Sequence, residues 1–207
     1  DTDTDSDTDT DTDSDTDTDT DSDTDTDTDA DADGDTDTDP KCIRYVNVEN
    51  NAGGDASSWE KAVQSIKDGI FYAKSSGCDL WIAAGTYYVY KTLPTDTIAL
   101  PANFRMFGGF SGIETTLEER DLGVNKTILD GADAEGQGNY VYHVVTGADN
   151  AVLDGFTVQR GKAMDVDSVD SSFGQGGGLY LYNAKMTVRN CVFDNNTAEL
   201  AGGGIYA

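Results

Sequence analysis

Asp130, Asp154, His143 and the triplet Arg160-Gly161-Lys162 are the residues whose types and spacing could do chemistry. Two carboxyl groups act as acid and base in inverting glycoside hydrolysis when they stand ~6.5–9.5 Å apart. A histidine moves protons near neutral pH, and arginine or lysine steadies a developing negative charge. The same residues have a reading without chemistry. Asp130 and Asp154 each precede a glycine, Gly131 and Gly155, and an Asp at such a corner caps the turn through its own side chain. The capping reading is the expected one, so no catalytic, cofactor-binding or metal-ligating residue is assigned.

A second group of acids opens the chain. In residues 1–40 every odd position is Asp, alternating with Thr and broken by Ser6, Ser14, Ser22, Ala30, Ala32, Gly34 and Pro40. Asp31-Ala32-Asp33-Gly34-Asp35-Thr36-Asp37 resembles the start of a calcium loop, where carboxylates at alternate positions converge around a glycine. An EF-hand-like loop needs an acid at its twelfth position, which is Cys42 here, so that motif fails. A thrombospondin-like calcium repeat is the alternative. The expected role is a solvated tether, because a block of like charge repels itself and extends. The loop Met164–Gln175, with Asp165, Asp167 and Asp170, reads as a solvated excursion and its alternative is contact with a ligand or cation.

Charge divides the 207 residues into two parts. The net charge of −27 is made of 20 acids without a base in residues 1–40, and 20 acids against 13 bases in the rest. The first part has no large apolar side chain and is expected to be disordered. Residues 41–207 are long enough for one domain with a sizeable core. Nucleic acid is excluded as a partner for lack of a basic face. No run approaches 18 apolar residues, so no membrane span is expected. The chain starts without Met and stops inside a repeat, so it is expected to be a piece of a longer protein. With three cysteines and one histidine, a zinc site is not expected. Cys42 and Cys78 either pair in an oxidising compartment or stay as two thiols, and the spacing leaves both open.

The elements that must position these residues follow from periodicity. Ser57-Ser58-Trp59-Glu60 fits a capping box, and Trp59, Val63, Ile66, Ile70 and Ala73 form one helical stripe, with Gly77 at the exit. A helix is therefore expected over about 58–75. Leu80-Trp81-Ile82-Ala83-Ala84-Gly85-Thr86-Tyr87 reads as a buried strand ended by Gly85. From Leu100 onward, short apolar runs alternate with Gly, Asn and Asp. Gly176-Gly177-Gly178-Leu179-Tyr180 recurs as Gly202-Gly203-Gly204-Ile205-Tyr206, an offset of 26. Residues 152–163 align with 187–198 at an offset of 35, which sets Leu153 on Val188, Val158 on Phe193 and Ala163 on Ala198. Short strands and tight turns repeating at this length are what stacked coils require. On this reading Cys191 and Phe193 point inward, and Asn196 bonds backbone groups at a corner.

These motifs resemble a known family. Phe193-Asp194-Asn195-Asn196 followed by Gly202-Gly203-Gly204-Ile205 is similar to the FxxN and GGA(I/L/V) pattern of chlamydial polymorphic outer membrane protein repeats and related bacterial surface proteins. Gly204 stands where Ala is usual, and the preceding coil has Val158 and Gly161 in place of Phe and Asn. Ser58-Trp59, Trp81–Tyr87 and Phe107-Gly108-Gly109-Phe110-Ser111-Gly112-Ile113-Glu114-Thr115 resemble the amino-terminal part of such proteins. The resemblance covers about 80% of the chain. It implies an all-β fold, a right-handed parallel β-helix of the pectin-lyase-like superfamily, with an N-terminal capping α-helix and the acidic tract before it. Enzymes of that superfamily use clustered Asp with Arg, or three Asp with His and an Arg-x-Lys pair. No NTD, GHD or RIK signature occurs here. The function implied is structural, adhesive or ligand-presenting, on a monomeric secreted or surface protein that suits a lipoprotein. Its partners would be a host or envelope surface, a polysaccharide or a protein. No cofactor is expected, apart from calcium as the alternative on the Asp tract. The rival is a polysaccharide lyase or glycoside hydrolase whose site lies on coils beyond Ala207.

Overall fold

The computed structural model describes residues 42–51, 53–164 and 171–207, all within the compact unit Asp39–Ala207. The acidic tract with its Asp31–Asp37 candidate, and Asp165, Asp167 and Asp170, lie outside the described residues.

Short strands in parallel sheets make up most of the regular structure, with little helix. Strand β1 (Ile43–Val46) and helix α1 (Ile66–Ser76) come first. Then follow β2 (Asp79–Ala83), β3 (Gly85–Tyr88), β4 (Ile98–Ala99), β5 (Arg105–Phe110), β6 (Thr127–Asp130) and β7 (Val145–Thr146). Next are β8 (Val152–Asp154), β9 (Phe156–Gln159), β10 (Lys162–Ala163) and β11 (Leu179–Tyr180). Last are β12 (Thr187–Arg189), β13 (Val192–Asp194), β14 (Thr197–Ala198) and β15 (Ile205–Tyr206).

From β2 onward, strands that follow one another in sequence fall in different sheets. The first sheet is ordered β1-β2-β5-β8-β12, the second β3-β6-β9-β13 and the third β4-β7-β11-β15, while β10 pairs with β14. Each of these pairings is parallel. The two sequence offsets reappear as register. Val188 pairs with Leu153, Phe193 with Val158 and Ala198 with Ala163, while Ile205 pairs with Leu179 and Tyr206 with Tyr180. Because side chains alternate across a strand, pairing in this register stacks like on like. The core is built from three such ladders, Leu80-Met106-Leu153-Val188, Tyr87-Leu129-Val158-Phe193 and Ile98-Val145-Leu179, the last continuing to the exposed Ile205. Met106, Leu153, Leu129, Val158 and Val145 are fully buried, each contributing roughly 1.5–3 kcal/mol through apolar burial. Cys191 is half-buried and packs with Phe193 against this core, so both face inward as expected.

The helix begins later than the sequence spacing predicts. Ser65, not Ser57, is its N-cap and accepts from the Asp68 N–H at 3.4 Å. Gly77 closes it in the left-handed region at φ 66°, as expected. The stretch before it is claimed by longer-range contacts. Val63 donates its N–H to the Tyr45 carbonyl and accepts from Asn47 N–H, so it extends the first sheet. Trp59 packs with Tyr45 and Phe110, at ring distances of 4.7 and 5.5 Å, and donates from Nε1 to the Glu114 carbonyl. It belongs to a second cluster with Ala62, Trp81, Ala83, Phe107 and Phe110, separate from the one that takes Ile66 and Ala73. Tertiary burial outweighs a local capping box, which is a small energy.

The expected strand over Leu80–Tyr87 is two strands in two sheets. Gly85, at φ 145°, is the corner between β2 and β3. Gly69 lets α1 lie close on the first sheet, since a Cβ there would run into Val46 and come within 3.0 Å of Leu80. Cys42 and Cys78 form a disulfide across 36 positions, which closes the alternative of two free thiols. Constraining a loop of this size in the unfolded chain is worth about 4 kcal/mol.

Candidate functional site

The carboxylates singled out from sequence sit at the ends of strands. Asp130 ends β6 in the second sheet and Asp154 ends β8 in the first, and each is 1% exposed. Asp130 receives a two-pronged guanidinium contact from Arg160, Nε to Oδ1 at 2.8 Å and Nη2 to Oδ2 at 2.5 Å. Gln159, its register partner on β9, adds a bond from Nε2 at 2.6 Å. The Ala132 N–H donates to Oδ1 at 3.0 Å, which is the turn-capping role expected of this residue. Arg160 takes φ 58°, uncommon for a residue with a Cβ, at the position aligned with Asn195 at φ 51°. The bond to Asp130 pushes the Arg160 pKa up.

Asp154 is held differently. Arg120 Nη2 approaches Oδ2 at 3.2 Å and Arg189 Nε the same oxygen at 3.0 Å, while Asn190 Nδ2 donates to Oδ1 at 2.8 Å. The Arg120 side chain is 11% exposed and also donates to the Leu117 and Gly108 carbonyls. A third pair, Asp79 with Arg105, closes at 2.8 and 2.6 Å between the first residues of β2 and β5. Charge-assisted forks of this kind use a carboxylate as an acceptor and fix its position.

The remaining candidates point elsewhere. His143 is buried, its Nδ1 lies 3.1 Å from the Gly176 carbonyl oxygen, and its ring stacks on Tyr180 at 4.8 Å. Tyr180 in turn stacks on Tyr206 at 5.6 Å, one register step along the third sheet. Lys162 Nζ stands 5.4 Å over the Tyr140 ring, a cation–π contact. Arg160 and Lys162 thus go to different partners. Asp130 and Asp154 share no hydrogen-bond partner among the described residues.

Other acids close loops. Glu114 takes the N–H groups of Ser111, Gly112 and Ile113 at 2.6–3.1 Å. Burial works to raise its pKa, and the backbone donors outweigh it and hold it low. Asp96 accepts from Lys91, Thr92 and Leu93 at 2.8–3.0 Å and is lowered in the same way against its burial. Asp96 lies on the rim of a cleft of about 700 Å³ between α1 and residues 86–99, with Lys67 and Lys91 nearby. Asp133 grips Gln137 and Asn139, and Asp121 grips Gly123 and Val124. Asn196 does what was expected of it: its Oδ1 accepts from Gly161 N–H and its Nδ2 donates to the Val158 carbonyl. Burial raises the Cys191 thiol pKa, which suits a packing residue.

Arg120, Arg189, Asn190, Gln159 and the Asp79–Arg105 pair were not singled out from sequence. A signal existed for Arg189, because the offset of 35 sets it opposite Asp154. Compared with protein-family models, with curated proteins and with solved structures, the chain matches none.

Proposed function

We propose that residues 41–207 are a right-handed parallel β-helix of the pectin-lyase-like kind, displayed outside a bacterial cell in a structural, adhesive or ligand-presenting role. Residues 1–40 are its acidic spacer. The observation that carries this reading is the use of Asp130 and Asp154. Both are removed from solvent and tied to arginines, so the side chains closest to a hydrolase pair serve to join strand ends. The rotation of the strands through three parallel sheets, in register with the sequence repeats, supports the stacked-coil architecture. The disulfide supports an oxidising compartment, because cytosolic thiols stay reduced. The tract carries an Asp at every odd position and no base, and that density of like charge supports a solvated spacer.

The experiment is whole-cell protease and antibody accessibility of the full chain, compared with a deletion of residues 1–40. The reading predicts an unchanged melting temperature for 41–207 and reduced accessibility at the surface. Equal accessibility without the tract would overturn the spacer. A tract that becomes compact and protease-resistant in millimolar calcium, and loses this with Asp33→Ala and Asp35→Ala, would make it a calcium-binding module.

A further inference from the structure

The disulfide joins two points that matter mechanically. Cys42 directly precedes β1, and Cys78 directly precedes β2. Between them lie β1, the Trp59 turn, which packs with Trp81 and Phe107, and α1, which packs in the separate cluster that holds Leu80 and Ile82. Strand β1 is the terminal strand of that sheet, paired with β2 over four residues and bonded on its other side only to Ala56 and Val63 among the described residues, both inside the same disulfide-closed segment. The bond from the Asp79 N–H to the Cys42 carbonyl lies at the very start of this ladder. A terminal ladder loaded at its first bond opens one bond at a time, which requires little force per step.

We propose that the Cys42–Cys78 bond is a force bypass. Tension arriving along residues 1–41 passes through the two sulfurs to the head of β2, and residues 43–77 carry none of it. Strand β2 is a better anchor than β1. It is buried along its whole length and pairs on both sides, with β1 and with β5. The segment that covers Leu80 and Ile82 then stays in place while the tether is pulled. Without the bond, the same tension would strip β1 and α1 first and uncover these fully buried core residues. The 36-residue separation amounts to roughly 120 Å of chain at ~3.3–3.6 Å per residue. The inference takes its biological sense from the tether reading. Whole-cell accessibility decides that reading alone, and the bypass is decided by pulling on the isolated chain.

The test is single-molecule extension of residues 1–207 between handles at the two termini. The oxidised chain should show no early step. The Cys42→Ser/Cys78→Ser variant should show a separate low-force step of roughly 120 Å before the rest opens. If that variant does not fold, dithiothreitol added to the folded wild-type chain under tension gives the same readout. The reagent takes up the bond as its own cyclic disulfide and leaves Cys42 and Cys78 as thiols. A reduced chain in which residues 43–77 open together with the rest, or after it, would overturn the proposal.

Discussion

Asp154 and Arg120 stand 34 positions apart, and their side chains meet at 3.2 Å with the carboxylate 1% and the guanidinium 11% exposed. The same carboxylate oxygen also takes Arg189, which is 55% exposed. One acid thus joins a loop and two neighbouring strands. Asp154→Ala should cost about 3 kcal/mol, because it leaves the part-buried Arg120 without its carboxylate. Arg189→Ala should cost under ~1 kcal/mol, since its charge is mostly solvated. Urea unfolding of both variants checks the ordering, and equal losses would refute it.

Asn196 is the corner residue that binds one layer to the next. Asn196→Ala removes the partners of the Gly161 N–H and the Val158 carbonyl, both on buried residues. The expected loss is about 1–3 kcal/mol per group left unsatisfied. Thermal melting reads this directly, and a change within ~0.5 kcal/mol would show that water replaces the side chain.

Acid should weaken the fold through its loops. Glu114 and Asp96 have folded pKa values below their ordinary ones, with backbone N–H donors outweighing burial. Their contribution is complete above the unfolded values of about 4 and is lost as pH falls through the lower folded values. The melting temperature should be level from pH 7 to 5 and then drop towards pH 3. Glu114→Gln should start lower and drop less. A melting temperature that rises on acidification below pH 5 would contradict the sign.

The two serines that compete to start the helix separate cleanly. Ser65→Ala should cost about 1 kcal/mol through the lost cap. Ser57 bonds Asp55 on an exposed turn, so Ser57→Ala should stay within ~0.5 kcal/mol. Helix content by circular dichroism, together with denaturation, distinguishes these.

What could be read in the sequence was whatever repeats. The pairings of Leu153 with Val188 and Leu179 with Ile205 were legible because stacked positions reuse one chemistry. Gly77 was legible because a helix exit favours a left-handed glycine. The helix start was not, since Trp59 answers to Tyr45, Phe110 and the Glu114 carbonyl, contacts with no local mark. Arg160 was legible as a neighbour of the candidate acids, but its bond to Asp130 was not, because it depends on which strands lie side by side. Arg120 was out of reach because residues 111–126 repeat nowhere in the chain.

Asp130 and Asp154 join strand ends through their arginines, and we propose that this is their whole role. Purified chain incubated with pectin, polygalacturonate and other polysaccharides tests it most directly, with product release measured beside the Asp130→Asn and Asp154→Asn variants. The account predicts no release above a protein-free control from any of the three, with both variants less stable than the parent. Reproducible release by the parent that either variant abolishes while still folded would contradict it.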